Sequence, residues 1–269
     1  MPALGIFDSG VGGLTVVRAV RERLPQESIL YLGDTARVPY GSKSAATVKR
    51  YADNAARFLL ARDVKMLLIA CNTASAYAID ALIATVPVPV IGAVEPGARA
   101  AMAATRSGSI GVIGTLGTVR SGAYPRAIEK LAGRDMQITA RACPLLVPLV
   151  EEGWLSGQVP TLVAGRYLDE LHREAPALDV LVLGCTHYPL LRPLLQQLAN
   201  DRWGRSITLV DSAETMANET ANILQADNLA THGAEAATLR VAVTDEARID
   251  EVGARFLGHA LETIERVDL

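Results

Sequence analysis

Lysine and cysteine are both scarce in this chain of 269 residues, and each shortage closes off a class of function. The four lysines (Lys43, Lys49, Lys65 and Lys130) and thinly spread arginines accompany a formal charge of −3, which leaves no basic surface for nucleic acid. None of those lysines follows a strand-like run: Lys65 precedes one, and the others lie in loop or helical patterns. That leaves no Schiff-base anchor for pyridoxal phosphate, and no cofactor is expected. Three cysteines with no CxxC or paired spacing exclude a disulfide framework and a zinc ribbon. Cys185, His187 and Asp8 together supply too few ligands for zinc, so no metal is expected either. No apolar run approaches the roughly 20 residues that span a bilayer. The chain opens directly on a strand-like GIFD, without a basic n-region or apolar h-region, so a cytoplasmic protein with no membrane partner is expected.

The rest is ordinary globular material, 50% hydrophobic and 20% charged. Apolar runs at 4–7, 29–32, 66–70, 88–91, 109–113, 137–140, 180–183, 207–210 and 239–243 read as strands. Between them, 14–24, 45–62, 74–86, 121–132, 161–174, 190–200, 213–225 and 247–266 carry apolar residues at helical spacing. This alternation predicts an α/β protein with mainly parallel central sheets and helices on both faces.

Two stretches echo each other. VKMLLIACNTAS at 64–75 and DVLVLGCTHYPL at 179–190 each run from an apolar strand through a cysteine and polar residues into a helical pattern. A second pair, LGIFDSGVGGLTVVR at 4–18 and IGVIGTLGTVR at 110–120, repeats a strand, a Gly/Ser/Thr turn and a helix. Asp8 and Thr115 are 107 residues apart and Cys71 and Cys185 are 114 apart, the near-constant offset of a duplicated unit. Two pseudo-symmetric α/β domains are therefore expected, with the active site in the cleft between them. VEPGA at 94–98 supplies chain-breaking residues and marks the boundary. The first domain is expected over 1–95 and 210–269, discontinuous because the last strand and helix complete its sheet, and the second over 96–209.

Chemistry in open parallel sheets collects at the carboxyl ends of strands, and four loops qualify: Asp8-Ser9-Gly10, Cys71-Asn72-Thr73, Thr115 to Thr118, and Cys185-Thr186-His187. One cysteine after a strand is as readily core packing as chemistry. Two at matching positions, each with polar escorts, favour chemistry, whereas Cys143 in RACPLLVPLV lacks such escorts and reads as structural. A free thiol is only about 3% thiolate at pH 7, a deficit of roughly 2 kcal/mol. A helix N-terminus recovers about 0.3–2 kcal/mol of that, with Asn72, Thr73 and Ser75 as candidate caps. Asp8 and His187 are candidate proton acceptors or orienters. A base and an acid on opposite faces of a carbon acid describe a two-base racemase.

FDSGVGG fails the dinucleotide fingerprint, because Thr15 stands where the third glycine belongs. Asp34, 22 residues after Gly12, keeps a nucleotide reading open, and the clustered amides of 9–13 would equally suit a carboxylate. A two-lobed binding protein for an acidic metabolite, or a racemase for aspartate, are further alternatives. His172 and His259 fall in helical, charged surroundings and read as solvated surface, and His232 sits in a polar loop.

GIFDSGVGGLTV, YLGDTARVPYGSKS, ACNTASA, CPLLVPLVEEG and LGCTHYPLL make the chain resemble the glutamate racemases of the aspartate/glutamate racemase superfamily, nearly end to end. The resemblance implies a cofactor-independent isomerase that interconverts L- and D-glutamate, the latter for peptidoglycan. It implies Cys71 and Cys185 as proton-transfer residues, Asp8 assisting the first, and His187 and Glu151 assisting the second. It further implies that Asp8, Ser9, Tyr40, Gly41, Asn72, Thr73, Thr115, Thr118 and Thr186 hold the substrate, and that the protein is a homodimer. The choice of Glu151 over the adjacent Glu152 rests on the motif alone.

Overall fold

A computed structural model describes residues 2–133, 135–232 and 236–269. All nine apolar runs form strands: Ala3–Asp8 (β1), Ile29–Gly33 (β2), Val64–Ile69 (β3), Val90–Gly92 (β4), Ser109–Gly114 (β5), Gln137–Ala142 (β6), Val180–Gly184 (β7), Thr208–Asp211 (β8) and Leu239–Val243 (β9). A tenth, Ile264–Arg266 (β10), lies near the carboxyl end. The helices are Leu14–Arg23 (α1), Ala45–Leu60 (α2), Asn72–Thr85 (α3), Val94–Ala104 (α4), Leu116–Ser121 (α5), Ala123–Leu131 (α6), Leu146–Glu151 (α7), Gln158–Glu174 (α8), Arg192–Trp203 (α9), Ser212–Ala226 (α10) and Ile249–Leu257 (α11).

Two sheets result, with strand orders β10-β9-β2-β1-β3-β4 and β6-β5-β7-β8, and every pairing is parallel. The first four strands of each unit follow the same order (second, first, third, fourth), which gives the sequence echo its structural form. Central strands are buried along their length: β2, β5 and β7 have no residue open to solvent. Their continuous apolar runs suit a sheet covered on both faces. The edge strand β6 keeps Gln137, Thr139 and Arg141 instead.

The largest core is continuous across both sheets. It runs from Leu4, Ile6, Val16 and Val20 through Met216 and Phe256 to Leu149, Leu183 and Tyr188. Fully burying each such leucine or isoleucine contributes about 1.5–3 kcal/mol. A second cluster beneath α2 and α3 covers the far face of the first sheet, and a third beneath α4 and α6 covers that of the second.

Two helical expectations change. VEPGA does not break the chain; it opens α4, which crosses from the first sheet to pack against β7, β8 and α6. Pro96 sits in the first turn, where its missing N–H has no helical acceptor to lose. Gly97 lies so close to Tyr124 that an added Cβ would stand 3.1 Å from its ring. The pattern at 247–266 divides, because Gly258 at φ 90° ends α11 and the chain then pairs as β10 beside β9. His172 is also partly buried, edge-on to Trp203 with ring centroids 4.9 Å apart, whereas His259 is exposed.

Candidate active site

The loops after β1, β2, β3, β5, β6 and β7 converge on a cavity of about 240 Å³ between the sheets. Eleven of the thirteen site residues read from the sequence line it: Ser9, Tyr40, Gly41, Cys71, Asn72, Thr73, Thr115, Glu151, Cys185, Thr186 and His187. Asp8 and Thr118 stand just behind the wall, 1% and 2% exposed. Among the described residues, no lysine or arginine lines the cavity.

Cys71 follows β3 and is itself the N-cap of α3, its sulfur accepting from Ala74 N–H at 3.4 Å. The cap therefore falls on the thiol and not on Asn72, Thr73 or Ser75. Its sulfur also lies 3.4 Å from the Ser9 hydroxyl. Burial, reinforced by the nearby Asp8 carboxylate, pushes the Cys71 thiol up to about 12, against the pull of Ser9 and the helix amide. The helix terminus alone does not hold a thiolate here.

Asp8 ends β1. Burial raises its carboxyl above the ordinary value, opposed by His187 and by the amides of Gly13, Gly10 and Ser9. Gly10 N–H donates to Oδ2 at 3.0 Å. The amides of the glycine-rich turn thus serve the chain's own carboxylate. An added Cβ on Gly13 would lie 2.4 Å from that of Asp8, so the turn closes over this side chain.

Around Cys185 the arrangement differs. His187 Nδ1 lies 3.8 Å from the sulfur, and His187 Nε2 lies 3.0 Å from Glu151 Oε1. Burial opposes charge on His187, but Cys185 and Glu151 outweigh it and lift the imidazole to about 10. Thr186 Oγ1 donates to Asp8 Oδ1 at 3.5 Å, linking the two halves. Gly12 permits that approach: a Cβ there would fall 2.3 Å from Thr186 Oγ1 and 2.5 Å from His187 Nδ1. Glu152 turns away to an exposed pair with Arg248 at 2.8 Å, so the geometry separates the two adjacent glutamates.

Three hydroxyls form a triangle across the cleft: Thr73 to Thr115 at 2.8 Å, Thr73 to Thr118 at 3.1 Å and Thr115 to Thr118 at 3.0 Å. Gly41 packs on Thr115, where a Cβ would come within 2.7 Å. Tyr40 borders the cavity, yet its hydroxyl is bonded to Asp34, away from it. Asp34 is fully buried and also takes Arg37 Nε at 2.7 Å and the Thr244 hydroxyl at 3.0 Å. Those partners leave no place for a ribose, which overturns the nucleotide reading of Asp34. Asn72 Oδ1 accepts from Tyr124 OH at 2.8 Å, and its amide reaches Ser212 at 3.4 Å, so much of that side chain is committed to holding α3.

Sequence reasoning missed the apolar wall made by Val38, Pro39, Pro144, Val147 and Pro148. The paired prolines of CPLLVPLV were its signal, since proline at a helix start leaves no free amide. Among the described residues no group of acids, histidines and cysteines is arranged to hold a metal. All three cysteines are free thiols.

The model of the Asp/Glu/Hydantoin racemase family matches residues 14–220. The glutamate racemase of Syntrophus aciditrophicus is 53% identical over 99% of this chain and 96% of that protein. The crystal structure of glutamate racemase isoform RacE1 from Bacillus anthracis superposes with a TM-score of 0.93 at 36% identity, covering 100% of this chain and 98% of that one. Glutamate racemase from Francisella tularensis in complex with D-glutamate gives 0.90 at 34% identity, covering 99% and 97%. The chain belongs to the Asp/Glu/Hydantoin racemase family.

Proposed function

We propose that this protein is a glutamate racemase that moves the α-proton of glutamate between Cys71 and Cys185 without a cofactor, and that its D-glutamate serves peptidoglycan synthesis in the cytoplasm. The observation that carries the reading is that two free thiols, one from each repeated unit, line one cavity. In one direction the Cys71 thiolate takes the α-proton and the electron pair stays on the planar carbanion. Cys185 S–H then protonates the opposite face. The cycle ends with Cys71 as thiol and Cys185 as thiolate, ready for the other enantiomer.

Asp8 assists Cys71 by accepting or orienting its proton, while Glu151 and His187 do so for Cys185. Ser9, Asn72, Thr73 and Thr186 suit the α-carboxylate and ammonium. Gly41, the Tyr40 backbone, Thr115 and Thr118 suit the distal carboxylate, where hydroxyls and amides take the place of fixed cations. The relative solved with D-glutamate supports the substrate. We assign the two working domains to 1–95 with 210–269 and to 96–209, and a homodimer as the solution state.

Incubation with L-glutamate in D2O, with no added cofactor, is expected to give D-glutamate carrying deuterium at Cα. Well-folded protein that yields neither D-isomer nor label would refute the assignment.

A further inference from the structure

Helix α11 packs against α1 of the first unit, and through Arg255 its carboxyl half also reaches the end of α7, the short helix that carries Glu151. Arg255 on α11 donates from Nη1 to the carbonyl oxygen of Val150, at 3.2 Å, and to that of Glu151. These are among the last carbonyls of α7, where intrahelical donors run out and the helix dipole favours a cation. Gly153, at φ 75°, makes room for the guanidinium: a Cβ there would stand 3.0 Å from Arg255 Nη2. The carboxylate of Glu251, one turn earlier on α11, is farther off at 3.7 Å. The next residue, Phe256, packs edge-on to His187 with ring centroids 4.9 Å apart. Glu151 needs such an anchor. Its side chain is 41% exposed, so its single bond to His187 competes with solvent unless the backbone beneath it is fixed.

We propose that Arg255 is a positioning residue for the Cys185 half of the site: by holding the carboxyl end of α7 it keeps the Glu151 carboxylate on His187 Nε2. The inference rests on the racemase reading above and adds a residue from the other unit to it. His187 is faced by Cys185 from its own loop, by Glu151 from α7 and by Asp8 from β1. Arg255 therefore acts on the imidazole only through Glu151.

The test compares the full-length wild type with Arg255→Ala, Arg255→Lys, Glu151→Ala and the Glu151→Ala/Arg255→Ala double variant, by racemisation kinetics and by NMR titration of the His187 ring. Arg255→Ala is expected to lower kcat about 10- to 100-fold, the range for displaced catalytic groups, with KM little changed. The His187 midpoint should fall from its high wild-type value. Arg255→Lys should restore part of both, since an ammonium can serve one carbonyl but lacks the planar fork for two. In the Glu151→Ala background, Arg255→Ala should cost no further kcat. Wild-type kcat in Arg255→Ala, an unmoved His187 midpoint, or a full extra loss on top of Glu151→Ala would each overturn the proposal. If Arg255→Ala does not fold, Arg255→Gln and Arg255→Lys carry the same comparison. Should the wild type fail to racemise glutamate, the functional reading falls, while the His187 midpoint still decides what Arg255 does.

Discussion

Cys71 and Cys185 occupy the same place in two copies of one unit, yet their surroundings have diverged. Cys71 has a hydroxyl, a helix amide and a buried carboxylate, and its proton is held tightly, up to about 12. Cys185 has an imidazole backed by a glutamate. The repeated unit places the two sulfurs alike, and the side chains beside them differ. The lesson is that a repeated scaffold fixes where a reactive atom stands, while the loops beside it set its charge.

Removing either sulfur breaks the comparison most completely. Cys71→Ala or Cys185→Ala is expected to lower racemisation by about 10⁴-fold, the upper range for one acid–base group. Each variant should still wash solvent deuterium into one enantiomer, the one whose α-hydrogen faces the remaining thiol, and the two should prefer opposite enantiomers. Near-wild-type turnover with one thiol would show that the second is not a base.

The escorts come next. Asp8→Asn and His187→Gln should each reduce kcat about 10²-fold. The enantiomers have equal free energy in water, so kcat/KM must fall by the same factor in both directions in each variant. Any difference between the stations has to surface in kcat and KM separately, measured from L- and from D-glutamate. His187 also leaves a mark on stability. Its folded value of about 10 lies above the ordinary value of 6.5, so its charge favours the folded state fully below about pH 6.5. That contribution is lost as pH rises towards 10. Thermal melts of the wild type should therefore fall more steeply across this window than those of His187→Gln, and parallel curves would count against the raised imidazole.

A smaller effect is expected where the units touch. Gly12→Ala places a methyl against Thr186 and His187, and overpacking of this kind costs about 1–3 kcal/mol. Denaturant melts together with KM would record it, and an unaltered variant would mean that the contact yields freely. Glu152→Ala closes the series. Its partner Arg248 is on the surface, so turnover and melting temperature should match the wild type, in contrast with its neighbour Glu151.

Much of this was legible beforehand for definite physical reasons. Buried central strands are written as apolar runs, and all nine runs read as strands formed them, the more polar edge strand β6 included. β10 was not legible, because Ile264–Arg266 is only three residues long, two of them charged and exposed at the sheet edge, and follows a helical pattern without pause. Helix α4 was hidden by Pro96 and Gly97, which read as breakers until their places in the first turn and against Tyr124 are known. Within the site, Cys71, Cys185 and His187 stood out by residue type and spacing. The inward bond of Tyr40 to Asp34, the use of the glycine-turn amides by Asp8, and Arg255 on α7 depend on long-range packing that no local pattern encodes.

The shared strand order of the two sheets has a consequence for handedness. L- and D-glutamate are mirror images, but a chain of L-residues has no mirror operation available to it. Rotation is the symmetry it can approximate, and turning a planar carbanion by half a revolution about an axis in its plane exchanges its two faces. On the racemase reading, two units related by such an axis would bring one sulfur to each face of the carbanion, and an achiral intermediate would let a one-handed protein treat opposite hands alike.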